Sequence, residues 1–194
     1  MRPSAPMTVA YTATVCTFPR NVDCCAASAR PRTAIMIRMA LIDEGKKAPA
    51  FSLNDQSGKT HRLSDYAGRP VILYFYPKDD TPGCTKESCD FRDTLPRFKK
   101  SKAVVLGMSI LDEASKKKFA DKYELNFPLL ADANHEVAEK YGVWQQKSLY
   151  GRKFMGIVRT TYLIGPDGRV ARRWDNVKID GHADDVLAAV GELA

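Results

Sequence analysis

Val71-Ile72-Leu73-Tyr74-Phe75-Tyr76-Pro77-Lys78-Asp79-Asp80-Thr81-Pro82-Gly83-Cys84-Thr85-Lys86-Glu87-Ser88-Cys89 is the stretch on which the fold turns. Its first six residues form an unbroken apolar and aromatic run, which is how a strand buried on both faces reads. Pro77 ends the run, and a polar loop from Lys78 to Gly83 leads into a helical stretch beginning near Cys84. Pro96 is expected to shorten that helix.

The flanks carry the same alternation. Upstream, Phe51 to Leu53 and the turn Gln56-Ser57-Gly58-Lys59 predict a short opening hairpin. Ser64 to Tyr66 reads as one helical turn, stopped at Gly68. Downstream, Ala103 to Ser109 is a second buried strand, and Asp112 caps a helix with Phe119 and Tyr123 on one face. Pro128-Leu129-Leu130 is brief and apolar. Asn134 to Tyr141 predicts a helix pairing Val137 with Tyr141, closed by Gly142. Thr160 to Ile164, the turn Gly165 to Gly168, and Arg169 to Trp174 form a hairpin. His182 to Leu193 is a closing helix with Val186, Leu187 and Val190 on one side. Strands alternating with helices, then a late hairpin, predict one α/β domain over residues 41–194, a mixed central sheet flanked by helices.

The first 40 residues differ. They hold eight Ala, five Thr, five Arg, no Lys and a single acid, Asp23, with no sustained period of 2 or 3.6. Arg-rich, hydroxyl-rich and acid-poor is the composition of an organelle transit peptide. The plainer reading, which we prefer, is a disordered or wrongly included leader, since Met36 or Met39 could start a shorter protein. No apolar core follows the first charges, which argues against a secretory signal. A cytoplasmic location is expected, or an organelle if the leader is a transit peptide.

Composition narrows the function classes. Of 194 residues 44% are hydrophobic, enough for a substantial core. No apolar run approaches the roughly 20 residues that span a bilayer. The net charge of +7 suggests nucleic acid, but +4 of it falls in residues 1–40, so no basic patch is left to bind one. The runs Lys99-Lys100 and Lys116 to Lys118 read as solvated faces. Five cysteines lack the even, dense spacing of a secreted disulfide scaffold, and Cys16, Cys24 and Cys25 lie in the leader. Cys84 and Cys89 alone occupy the part that looks folded, which points to redox or metal chemistry.

A cysteine past the end of a buried strand, at a helix start, meets free backbone N–H groups and the positive end of the helix dipole. Both favour thiolate over thiol. Thr81, three residues earlier, can set a hydroxyl beside the sulfur, while Pro77, Pro82 and Gly83 stiffen the loop where a small ligand must come close. A buried structural cysteine is the alternative that Cys84 alone leaves open.

Cys89 changes the balance. In a regular α-helix, Cα atoms five residues apart lie about 8–9 Å from each other. A disulfide needs them within ~7 Å. The two sulfurs can therefore bond only if the first turn or two unwinds, which suits a reversible bond better than a permanent staple. Zinc would need two more ligands, and His61, His135 and His182 stand alone. A thioredoxin-type exchanger would use C-x2-C, absent here. Arg159, at the start of the predicted core strand Thr160 to Ile164, needs an anionic or polar partner if buried; a thiolate would serve, and so would an ordinary surface or capping role.

Pro77, Thr81 and Cys84 resemble the peroxiredoxin pattern P-x3-T/S-x2-C, and the stretch from Phe75 to Glu87 is similar to the bacterioferritin-comigratory-protein, or Q-type, subgroup. The resemblance runs from about Pro49 to Leu193, through Phe127 to Leu130, Tyr141 to Trp144 and Arg159 to Ile164, and leaves out the leader. It implies a thioredoxin-like fold of the peroxiredoxin type, with peroxidatic Cys84 and resolving Cys89. It also implies a pocket completed by Pro77, Thr81 and Arg159, where Thr81, Arg159 and the N–H groups of Gly83 and Cys84 hold the peroxide oxygens. Cys84 would become a sulfenic acid, Cys89 would condense with it, and thioredoxin or a similar dithiol would reduce the disulfide. No metal, haem or flavin is implied. The expected partners are peroxides and the reductant, with no nucleic acid and no membrane, and the chain is expected as a monomer or weak dimer. A thiol-based redox sensor or chaperone-like interaction protein is the alternative function.

Overall fold

A computed structural model of the protein describes residues 40–149 and 151–193. It opens on the expected hairpin, β1 (Ser52–Asn54) paired antiparallel with β2 (Thr60–Arg62). A single 3-10 turn, Leu63–Tyr66, leads to β3 (Val71–Phe75), which is buried at every position. Then follow α1 (Pro82–Lys100), β4 (Val104–Ser109), α2 (Glu113–Tyr123), β5 (Leu129–Ala131) and α3 (Glu136–Lys140). The chain continues through β6 (Trp144–Leu149), β7 (Arg152–Ile157), β8 (Thr160–Ile164), β9 (Val170–Asp175) and α4 (His182–Gly191).

The central sheet has the order β5-β4-β3-β8-β9. β3 pairs parallel with β4 and antiparallel with β8, so the mixed sheet read from the sequence is present. Side chains of a strand alternate between faces, and β3 and the residue after it build two cores this way. Ile72, Tyr74 and Tyr76 pack with Phe91, Leu95, Phe98, Phe119, Val186 and Val190 from α1, α2 and α4. Val71, Leu73 and Phe75 pack with Phe51, Val137, Tyr141 and Tyr162 on the other face. Burying each such side chain contributes about 1.5–3 kcal/mol, so β3 is a firmly anchored element next to the site.

α1 starts at Pro82, with Cys84 in its first turn as expected, because proline fits the first helical position, where its missing N–H costs nothing. Two expectations need correction. Pro96 does not shorten the helix, which runs through it to Lys100. Leu95 and Phe98 on either side are buried in the core and hold the chain on course despite the lost backbone bond. Lys116 does not belong to a solvated face: it is fully buried on α2, while its neighbours Lys117 and Lys118 are exposed.

β6 and β7 form a separate antiparallel hairpin that the sequence reading missed. Their residues lack the apolar alternation that marks a half-buried strand, and Phe154 and Met155 stand exposed on β7. The first 39 residues, including the leader reading and Cys16, Cys24 and Cys25, lie outside the described residues. Among the described residues no helix is long and apolar enough to cross a membrane.

Candidate active site

The site forms where β3 hands over to α1. Tyr76 N–H still donates to the Met108 carbonyl of β4, 3.1 Å away. Pro77 has no N–H to extend the pairing, and the chain leaves the sheet there. Thr81 is the extended residue before the helix, and its carbonyl accepts the first helical bond, from Thr85 N–H at 2.8 Å. Pro82 has no N–H, so the donors left without helical partners in this first turn are those of Gly83 and Cys84. Cys84, in that turn, is buried at 1% exposure.

Arg159, between β7 and β8, meets that sulfur. Its Nη2 lies 3.2 Å from Cys84 Sγ. Its Nη1 donates to Oε2 of Glu87, one helical turn beyond Cys84. The arginine is fixed from behind by its own carbonyl, which accepts Val177 N–H at 3.3 Å. Gly83 eases the approach, since a Cβ there would sit 3.3 Å from Arg159 Nη2 and 3.1 Å from Ile179 Cδ1, closer than most such contacts. Sequence reasoning missed Glu87. Its spacing of three from Cys84, on the same helix face, was the available signal. Glu87 is 1% exposed, and its Oε1 has no hydrogen-bond partner among the described residues. Burial raises its carboxyl to about 7, outweighing the opposing pull of Arg159.

Thr81 is at the loop end as expected, but its hydroxyl donates to the Lys78 carbonyl at 3.2 Å. The proton is therefore directed back into the loop, which leaves the oxygen lone pairs as acceptors. Lys147, on the hairpin missed in the sequence, is half-buried and donates to the Ile157 carbonyl. Burial and the neighbouring Arg159 lower its pKa.

Cys89 lies on the same unbroken helix, and both thiols are free. Burial raises the Cys89 thiol, only partly offset by Arg92. Between the cysteines the helix is tied down twice: Glu87 to Arg159, and buried Ser88 to the Tyr74 hydroxyl at 3.0 Å. Phe91, just beyond Cys89, stacks on the Tyr74 ring with centroids 4.7 Å apart. A Cys84–Cys89 bond needs the helix between the cysteines to unwind, and these two polar ties oppose that.

Residues 44–173 match the AhpC/TSA family. A "Putative peroxiredoxin bcp" of Coxiella burnetii is 47% identical over 146 residues, 75% of this chain and 97% of that protein. "Peroxiredoxin Bcp" of Escherichia coli is 44% identical over 150 residues, 77% of this chain and 96% of that one. Among solved structures, a PrxQ variant of Xylella fastidiosa superposes with TM-score 0.75 at 34% identity, covering 79% of this chain and 98% of its own. The Xanthomonas campestris bacterioferritin comigratory protein, described in terms of its alkyl peroxide reduction activity, gives TM-score 0.73 at 38% identity and covers 77% and 98%.

Proposed function

This chain belongs to the AhpC/TSA family and is a thiol peroxidase of the peroxiredoxin kind, and on that premise we propose that Cys84 is the attacking sulfur and Cys89 the resolving one. The observation that carries the assignment is the Arg159 guanidinium 3.2 Å from a buried sulfur at the first turn of α1. A cation and two free N–H groups favour a thiolate there, and they are equally placed to stabilise charge on a departing oxygen.

The chemistry balances as follows. The Cys84 thiolate attacks the distal oxygen of a hydroperoxide, forming S–O as O–O breaks. The alkoxide or hydroxide leaves and takes up a proton. Sulfur is oxidised by two electrons and the peroxide is reduced to an alcohol or water. Thr81, Arg159 and the Gly83 and Cys84 N–H groups hold the oxygens, and Pro77 shields and stiffens the loop. The first turns of α1 then unwind, the Cys89 thiol attacks the sulfenic sulfur, S–S forms, and water leaves. Thioredoxin, or a similar dithiol, returns both sulfurs to thiols by exchange. Free thiols poised in this way suit a reducing compartment such as the cytoplasm.

The test is turnover. With thioredoxin, its reductase and NADPH, the protein should consume hydrogen peroxide and tert-butyl hydroperoxide catalytically, and Cys84→Ser should abolish consumption. A single stoichiometric burst, or undiminished activity in Cys84→Ser, rejects the proposal. Cys89→Ser should still lose peroxide in one turnover but should stall as sulfenic or over-oxidised Cys84.

A further inference from the structure

Lys116 is the one lysine that the fold takes wholly out of water among the described residues, with 0% exposure. It projects from the first turns of α2 into a polar nest that neither the attacking nor the resolving sulfur occupies. Its Nζ donates to Asp79 Oδ1 at 2.9 Å, to the Tyr76 hydroxyl at 2.8 Å, and to Ser109 Oγ. All three ammonium protons are thereby used. The cation also sits 4.5 Å from the centroid of the Tyr76 ring. Asp79 is held from its other oxygen by Ser115 Oγ at 2.8 Å. Tyr76 follows β3 directly and Ser109 ends β4. One ammonium thus joins the ends of two core strands, α2, and the loop that leads to Cys84.

The next loop residue is fastened to the same helix. Asp80, in the left-handed region at φ 56°, accepts both oxygens' bonds from Lys122 Nζ at 2.8 Å and one from the Tyr123 hydroxyl at 2.5 Å. Two consecutive aspartates of the loop are therefore gripped by α2. Downstream, Phe91 anchors α1 in the core. Residues 81–90, which hold both cysteines, are the segment between these anchors. Burying an ion pair is costly, and apolar residues of similar size are often as stable or more so. Burial lowers Lys116 to about 8 even against the pull of Asp79, so the charge is kept at neutral pH at some expense.

We propose that Lys116 is a positioning residue of the peroxidase: through Asp79 it pins the loop before Cys84 and confines the unwinding that brings Cys89 to Cys84 to the segment after Asp80. The second half of this statement rests on the Cys84–Cys89 disulfide of the proposed function; the first half does not. Lys116 acts through Asp79 on where Thr81 and Cys84 stand and touches no reacting atom.

The experiment compares the wild type with the double variant Lys116→Met/Asp79→Asn, which removes both buried charges together and keeps an acceptor for Ser115. Reduced proteins are mixed with hydrogen peroxide, quenched with an alkylating agent, and analysed by mass spectrometry, so that loss of the Cys84 thiol and gain of the Cys84–Cys89 disulfide are timed separately. The double variant should melt within a few degrees of wild type while Cys84 oxidation slows on the order of 10- to 100-fold, as expected for a misplaced reacting group. Oxidation within about twofold of wild type overturns the proposal, whether or not the melting point falls. If the double variant does not fold, hydrogen–deuterium exchange on the wild type decides. Oxidation to the disulfide should raise uptake in peptides spanning 82–91 and leave 112–120 unchanged; a comparable rise in 112–120 overturns it. A wild type that forms no Cys84–Cys89 bond defeats the resolving role of Cys89 and the confinement of unwinding, and leaves the Cys84 oxidation rate as the test of positioning.

Discussion

Cys84 and Glu87, one turn apart on α1, share the guanidinium of Arg159: one nitrogen stands 3.2 Å from the sulfur and another donates to the carboxylate. In the proposed function the carboxylate orients the arginine, and the arginine supplies the charge that an ionised sulfur would need. Both groups draw on one cation in a place where Glu87 is almost wholly out of water. The bridge joins the start of α1 to the loop after β7, with little room to spare over Gly83.

Arg159→Lys should therefore be far from conservative. Lysine keeps the charge but offers one nitrogen on a flexible stem, which cannot reach both Cys84 and Glu87 in a fixed fork. Cys84 oxidation, followed in a single turnover, should fall on the order of 100-fold while the circular dichroism spectrum is kept. A rate within about threefold of wild type would show that the second contact of the fork is dispensable.

Glu87 gives stability a pH dependence whose sign can be worked out. Its carboxyl is raised to about 7 from an ordinary value of 4.5, so between those values the folded chain retains a proton that the unfolded chain releases. Its favourable contribution is full below pH 4.5 and is lost as pH rises through 7. Relative to Glu87→Gln, the wild type should lose about 3 kcal/mol at most over this window. Urea unfolding of both proteins at pH 4.5, 6 and 7.5 measures the difference. A gap that is flat, or that moves in favour of the wild type as pH rises, contradicts the assignment.

The tie between Tyr74 and Ser88 should set how readily α1 opens. Both groups are fully buried, and Tyr74→Phe leaves the Ser88 hydroxyl without its partner in the folded helix, at a cost of about 1–2 kcal/mol. The unwound form is spared that cost. The variant should form the Cys84–Cys89 disulfide several-fold faster and accumulate less sulfinic Cys84 as peroxide is raised. More sulfinic acid than in wild type, measured by mass spectrometry, would mean that this tie does not restrain the helix.

Much of the fold was legible because β3 is apolar on both faces and its neighbours repeat the strand–loop–helix pattern. The site was legible where a local rule applied: a cysteine at a strand-to-helix junction, an arginine beside a core strand, and two cysteines too far apart on a regular helix. What stayed hidden depends on contacts between distant segments. Lys116 reads as a solvated lysine until the loop brings Asp79 to it. Beyond its spacing from Cys84, Glu87 carries no local signal of its own until the link between β7 and β8 brings in Arg159, 72 residues away. The β6–β7 hairpin is held by its own pairing with little burial, so it has no apolar period to betray it. Pro96 obeys the core on either side of it more than its own preference.

The most direct measurement is competitive alkylation of the reduced wild-type protein by iodoacetamide at pH 7, with Cys84 and Cys89 read out separately by mass spectrometry against a free cysteine peptide. Cys84, although buried, should react faster than both, and Arg159→Met should remove its advantage. A Cys84 no faster than the peptide would mean that the meeting of helix start and guanidinium does not make a nucleophile of this sulfur.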